Sequence, residues 1–230
     1  MHALVRAPRM LAAIETILGP EITFHGDFQL TPKLPGDAPT AFPWHQDTQY
    51  YGVPSQHMHV VTAWVPLVDA DTENGCLWVV PGSHRWGLQD AVRGADMNFR
   101  PTACEVEQRG QPVAMPMQRG DVLLLGNFTF HSSQLNQSGQ VRWSLDLGYS
   151  ASRGARPTSR EEAASYAYLY DALPRVGRTP LIVRSAQAGN EQRWEQWLER
   201  PTAELRQIAA RAPTLATHQR SRVAGLARHV

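Results

Sequence analysis

The stretch FPWHQDTQYYG, residues 42–52, sets His45 and Asp47 two apart in a run that is otherwise aromatic, polar and turn-forming. If the run is a strand, side chains i and i+2 leave the same face about 7 Å apart. An imidazole and a carboxylate can then converge on one ion where that face lines a barrel interior. A third ligand is available in His131, at the end of the apolar strand VLLLGNFTF, where a polar ring after so many buried residues needs a partner. Two histidines and one carboxylate on one side of an ion leave three coordination positions open, the arrangement of non-haem Fe(II) oxygenases. Taken alone, His-x-Asp with a distant histidine describes satisfied core or rim histidines equally well.

Arg142 adds to the pattern. It follows His131 by eleven residues across the turn NQSG, so a hairpin can carry its guanidinium back alongside the metal. A planar fork that keeps its charge suits the far carboxylate of a dicarboxylic cosubstrate. Standing alone, Arg142 would be read as the partner of a nearby acid such as Asp146.

Other residues of chemical type read as structure. In His57-Met58-His59, alternation puts Met58, Val60, Thr62 and Trp64 on one face and both histidines on the other, so if Trp64 looks into the pocket the histidines look away. Asn74-Gly75 and Pro81-Gly82 are turn signals. His84 and Arg85 follow the second turn and read as rim residues that could reach substrate. Trp44, Tyr50 and Tyr51 serve either packing or substrate stacking.

The elements that must position these groups are short. RMLAAIETIL places Leu11, Ile14 and Leu18 at helical spacing before the stop Gly19-Pro20, a short amphipathic helix. From Ile22 to about Tyr149 come short runs rich in Val, Phe, Trp and Thr, punctuated by Gly, Pro and Asn-Gly. This is the pattern of an antiparallel jelly roll or barrel. After Ser150 the composition turns to Ala, Arg, Glu and Gln, and SREEAASYAYLYDAL and NEQRWEQWLER read as helices. In the second, Trp194, Trp197 and Leu198 share a face that packs on the barrel or meets a partner. The organisation expected is one domain over 1–230: an N-terminal helix to 21, a jelly-roll core over 22–150 and a mostly helical extension over 151–230.

Bulk properties narrow the class. The chain has 230 residues, 42% hydrophobic and 19% charged, with net charge +1, which describes an ordinary soluble globular protein without the electrostatic footprint of a nucleic-acid binder. Its 22 basic residues are 21 Arg and the single Lys33, a skew that codon bias explains. Two cysteines, Cys76 and Cys104, make no disulfide framework and suit a reducing cytoplasm. The N-terminus lacks a signal-peptide apolar region, and no stretch is apolar for about 18 residues, so neither export nor membrane spanning is expected.

WHQD, AWVPLVDADTENGCLWVVPGSH and HSSQLNQSGQVRWSLDLGY resemble the phytanoyl-CoA dioxygenase family of Fe(II)/2-oxoglutarate oxygenases. The likeness runs from about residue 9 to residue 150. TPLIVRS and the Trp-rich segment after it are similar to the tails of bacterial members. The resemblance implies a mainly β fold, a double-stranded β-helix (jelly roll) with helices at both termini. It implies that His45, Asp47 and His131 bind Fe(II) and that Arg142 holds the C5 carboxylate of 2-oxoglutarate. Trp64, in the family's Ala-Trp position, and Ser133, two residues beyond the distal histidine, would line the cosubstrate site. Gln29 falls where some members contact cosubstrate or substrate. Lys33 matches the Lys-Pro segment ahead of the metal strand, with Leu34 intervening, and reads as a flank or lid residue.

The implied activity is oxidation by O2, with 2-oxoglutarate decarboxylated to succinate and CO2 and ascorbate as activator. The outcome is hydroxylation of an aliphatic C–H bond. Related halogenases replace the carboxylate ligand with a small residue, so Asp47 favours an oxygenase outcome. The expected partner is a small-molecule substrate, a free metabolite or natural-product intermediate rather than nucleic acid or membrane; oligomeric state is open. Members carry additional sequence ahead of the point where this chain begins, which leaves a truncated gene model and a short form with an open pocket as alternatives. Two rivals differ in class. A non-catalytic jelly roll binding a metal or small molecule, and a zinc hydrolase using the same ligands, both leave Arg142 unexplained.

Overall fold

Pro8, pre-set for a first helical turn, opens a helix whose residues Met10, Leu11, Ile14 and Leu18 are buried. Gly19, at φ +83°, ends it and donates its N–H to the Glu15 carbonyl at 2.9 Å. This helix, α2 (Pro8–Leu18), follows a one-turn α1 (His2–Val5). The computed structural model describes residues 2–51, 56–102, 105–152, 159–172 and 181–185.

The strands are β1 (Ile22–Lys33), β2 (Phe42–His45), β3 (Val60–Pro66), β4 (Leu77–Val79), β5 (Ala91–Arg93), β6 (Phe99–Pro101), β7 (Val113–Met115), β8 (Leu123–Gly126), β9 (His131–Ser133), β10 (Arg142–Ala151) and β11 (Leu181–Arg184). Short helices α3 (Thr48–Tyr51) and α4 (Val106–Arg109) lie between them, and α5 (Arg160–Ala172) follows β10. One sheet runs β11-β1-β10-β3-β8, a second β2-β9-β4-β7, and β5-β6 form a separate hairpin. All named pairings are antiparallel. The fold is a mainly β jelly roll with few helices.

The two faces of the larger sheet divide the labour. Along β10, Leu145, Leu147 and Tyr149 face a core with Ile22, Phe24, Val61, Ala63, Val65 and the apolar side of α2. Each such aliphatic side chain contributes roughly 1.5–3 kcal/mol of burial energy. The alternate residues Arg142, Ser144 and Asp146 take the opposite face, with Lys33, Thr31 and Gln29 beside them on β1 and Pro66 and Trp64 beside Ser144 and Asp146 on β3. This face turns towards the smaller sheet, since Trp64 and Leu125 pack with Leu77 and Val79 of β4, so its polar residues lie inside the roll.

Three sequence expectations about local structure change. His131 does not end the strand begun at Leu123: the chain leaves the larger sheet after Gly126, and His131 opens β9 in the smaller one. Asn127 makes that break, donating to the Met58 carbonyl at 3.2 Å and accepting from the Val60 N–H at 3.3 Å. Nor is Arg142 returned by a hairpin, since β9 and β10 lie in different sheets. Asp47 lies beyond the end of β2, and its carbonyl accepts the N–H groups of Tyr50 and Tyr51 in the first turn of α3.

Ser159 caps α5 by accepting the Glu162 N–H at 3.1 Å. β11 places a strand in the region whose composition reads as mostly helical. The segment NEQRWEQWLER, with Trp194, Trp197 and Leu198, and Cys104 lie outside the described residues. No helix among the described residues is long and apolar enough to cross a membrane.

Candidate metal and cosubstrate site

Cross-strand pairing of β2 with β9 sets His45 directly opposite His131, and the ring centroids are 4.2 Å apart. Asp47 reaches the same point from the turn after β2. Its Oδ1 lies 3.9 Å from His45 Nε2 and 3.5 Å from His131 Nε2. One ligand atom from each residue lies within 4.8 Å of the others, and His45, Asp47 and His131 form the one such group of metal-ligating type among the described residues.

Hydrogen bonds on the far side of each of these three side chains fix its orientation. His45 Nδ1 is 2.7 Å from the Pro43 carbonyl and His131 Nδ1 is 2.9 Å from that of Thr129. A carbonyl oxygen only accepts, so Nδ1 donates in both rings and each Nε2 keeps its lone pair free for a metal. Thr62 donates to Asp47 Oδ2 at 2.6 Å, leaving Oδ1 turned to the histidines. Burial, with the neighbouring His131, pushes the His45 pKa down to about 4 against the opposing pull of Asp47 and its backbone hydrogen bond, so the ring is neutral at ordinary pH.

A second cluster lies on the polar face of the larger sheet. Arg142 is 2% exposed; its Nη1 donates to Ser144 Oγ at 2.7 Å, and its guanidinium sits 5.2 Å from the centroid of Trp64. Burial lowers its pKa to about 10, opposed by the charge of Asp146 and then Cys76. Ser133 is buried two residues beyond His131. Ser133 Oγ and Arg142 Nε are both buried without a hydrogen-bond partner among the described residues. A buried cation on the larger sheet and an unsatisfied hydroxyl two residues from His131 on β9 fit a chelating dicarboxylate, whose oxygens supply the missing acceptors.

Lys33 is a correction. Expected as a flank or lid residue, it is fully buried and pairs with Arg142 across β1 and β10. Its ammonium donates to the Thr40 carbonyl and, at 3.5 Å, to that of Ser133. Burial first, and then the charge of Arg142, lowers its pKa from 10.5 to about 7. Gly75 makes room for it: at φ +81°, a Cβ there would stand 2.6 Å from Lys33 Cδ and from the Gln134 carbonyl. The sequence held a signal for this residue, since a chain whose other 21 Lys/Arg positions are all arginine keeps one lysine. Thr62 was also legible, being two residues before Trp64 on the same strand face.

Gln29 is not brought into the buried cluster. It pairs with Asp146 in the row that contains Trp64, but at an exposed position of β1. His57 and His59 are exposed while Met58 between them is buried. His84 and Arg85 are exposed in a short 3-10 turn, Ser83–Trp86. Trp44 packs against Val80, Val106 and Phe130 and donates to Glu107. Tyr50 stands edge-on to His45 at 5.3 Å and to Phe99 at 5.0 Å, so the β5–β6 hairpin reaches the ligand turn through it. Tyr51 packs edge-on against His25.

A jelly roll carrying two histidines and a carboxylate beside a buried arginine defines a class, that of non-haem iron oxygenase folds. Residues 1–144 match the family model "Phytanoyl-CoA dioxygenase (PhyH)", and the chain belongs to that family. Peroxisomal phytanoyl-CoA dioxygenase of Mus musculus is 25% identical over 150 residues, covering 63% of this chain and 44% of that protein. The chain thus spans less than half the length of that curated relative. Among solved structures, the epimerase SnoN in complex with Fe3+, alpha ketoglutarate and nogalamycin RO is 26% identical with a TM-score of 0.56, covering 83% of this chain and 72% of that one. EctD from S. alaskensis, with 2-oxoglutarate and 5-hydroxyectoine, is 26% identical with a TM-score of 0.55, covering 66% and 52%.

Proposed function

We propose that the protein is an Fe(II)/2-oxoglutarate-dependent dioxygenase, with residues 1–230 acting as one catalytic domain. The observation that carries this reading is the convergence of His45 Nε2, His131 Nε2 and Asp47 Oδ1, with each Nδ1 committed to a carbonyl, in a fold that also buries an arginine and a lysine side by side on the larger sheet. His45, Asp47 and His131 hold the iron. Arg142 binds the C5 carboxylate of 2-oxoglutarate; Trp64 supports the guanidinium from below, and Ser133 supplies a hydroxyl to the same cosubstrate. Lys33 adds a second positive charge at that end. Gln29, exposed on the same face, is a contact for substrate or for the outer end of the cosubstrate. Iron and 2-oxoglutarate, when bound, supply with O2 an oxidant strong enough to attack an aliphatic C–H bond, releasing succinate and CO2. The protein's own part is to keep His45 neutral, orient both rings, hold Asp47 Oδ1 inward through Thr62 and neutralise the cosubstrate's charge. The substrate class is a small metabolite or natural-product intermediate that is hydroxylated, ascorbate maintains the reduced metal, and the compartment is the cytoplasm.

The test begins anaerobically with Fe(II) and 2-oxoglutarate, watching for the metal-to-ligand charge-transfer absorption of the chelate. O2 and ascorbate are then admitted and succinate is measured without added substrate, since uncoupled turnover is expected in such a site. Folded protein that gives neither the absorption nor succinate above a metal-free control refutes the oxygenase reading.

A further inference from the structure

The residue between the two ligands of the HQD turn has no side-chain role in the chemistry above, yet it is fully buried. The Gln46 amide donates to the Gly87 carbonyl at 2.9 Å and to the Phe128 carbonyl at 2.8 Å, and its Oε1 accepts the Gln89 N–H at 2.9 Å. One side chain therefore joins three segments. The first is its own turn, which carries His45 and Asp47. The second is the Phe128-Thr129 turn, whose Thr129 carbonyl orients His131. The third is the Gly87–Gln89 loop leading into β5. A buried amide bonded to backbone groups of two other segments fixes their separation from its own turn, because a shift of any one leaves a polar group unpaired.

Two neighbours extend the connection. Gln49 Oε1 accepts the Gln46 N–H at 3.1 Å, and Gln49 Nε2 donates to the Gln89 carbonyl at 3.3 Å. On the other side of Asp47, the Thr48 N–H and hydroxyl both donate to the Asn127 carbonyl at 3.1 Å, while Asn127 Nδ2 donates to Thr48 Oγ1 at 2.6 Å. Asp47 is thus flanked by two residues that each bind the turn leading to the third ligand. The sheets alone would not ensure this, because β2 and β9 are short and their pairing is irregular between Phe42 and His45.

We infer that Gln46 is a positioning residue for the metal centre, holding the His45/Asp47 turn and the His131 turn at ligand spacing before metal arrives. The inference rests on the proposed metal-binding reading. Preorganisation of this kind acts on metal affinity, since without it binding must also pay for ordering the turns.

The experiment titrates Co(II), as an air-stable probe, into the apo protein by calorimetry and visible spectroscopy at a temperature where each variant is fully folded. Gln46→Met keeps the length of the side chain and removes all its hydrogen bonds; it should weaken Co(II) binding by about tenfold or more, in the range seen when supporting residues of metal sites are removed, and alter the Co(II) absorption. Gln46→Asn, which keeps an amide but cannot span both carbonyls, should weaken binding in the same direction and serves if the methionine variant does not fold. A residue that only stabilises the fold would lower the apo melting temperature and leave the folded protein's Co(II) affinity and spectrum unchanged. That result, with affinity within twofold of wild type, overturns the inference. A folded wild-type protein that takes up no Co(II) overturns the metal-binding reading beneath it.

Discussion

If the proposed cosubstrate site is as assigned, Lys33 should make it sensitive to pH in a range where the other assigned groups with displaced pKa values do not titrate. Burial, and then the charge of Arg142, brings the Lys33 pKa to about 7, while burial holds the His45 pKa well below that range and leaves that of Arg142 well above it. 2-Oxoglutarate is a dianion throughout pH 6–8.5, so a protonated Lys33 favours it and a neutral one does not. With half-titration at about 7, the protonated share falls from roughly nine-tenths at pH 6 to roughly a thirtieth at pH 8.5. If only that form is competent, the apparent Kd rises about 30-fold across the interval. The assay is anaerobic calorimetry of 2-oxoglutarate binding to the metal-loaded protein at several pH values, repeated with Lys33→Met. The variant should bind weakly at pH 6 and lose the slope.

Apo stability supplies an independent check. Because the folded-state pKa is lowered, the unfolded chain holds the Lys33 proton between about pH 7 and 10.5 where the folded chain does not. Stability therefore rises with pH through that window, and below it the cost of burying the charge is present in full. Lys33→Met should flatten this contribution. A wild-type affinity that is constant from pH 6 to 8.5, or a slope that survives in Lys33→Met, refutes the assignment of Lys33 to the cosubstrate's charge.

Arg142→Lys should weaken 2-oxoglutarate binding about tenfold or more, because an ammonium cannot reproduce a two-point contact or the stack on Trp64; unchanged affinity in calorimetry would place the clamp elsewhere. Asp47→Gly removes the one anionic ligand and the acceptor of Thr62, so iron content of the folded protein should fall well below one equivalent and coupled oxidation should collapse. Full occupancy with wild-type succinate formation would refute the three-ligand centre. His57→Ala and His59→Ala, at exposed positions outside the roll, should each leave iron content and 2-oxoglutarate affinity near wild type; a loss matching that of His131→Ala would show that they reach the metal.

The sequence alone determined which residues are of ligand type and many of the local elements. The helix RMLAAIETIL, the alternating strand through Val60, Thr62 and Trp64, the turn at Asn74-Gly75 and the helix SREEAASYAYLYDAL follow from short-range signals: proline and glycine punctuation, apolar spacing, alternation and composition. His45, Asp47, His131 and Arg142 were legible because their residue types are costly in a jelly-roll interior unless they share a task. What the sequence could not give is which strands pair. Reading His131 as the end of one strand and Arg142 as the return arm of a hairpin was reasonable from local pattern. Only the tertiary fold decides that the chain changes sheet at Gly126 and again before Arg142. The same long-range pairing sets Lys33 beside Arg142, more than a hundred residues away, and Gln46 against Gly87 and Phe128. Burial and pKa are properties of these neighbours, and a side chain's neighbours across two sheets are written nowhere in its own stretch of sequence.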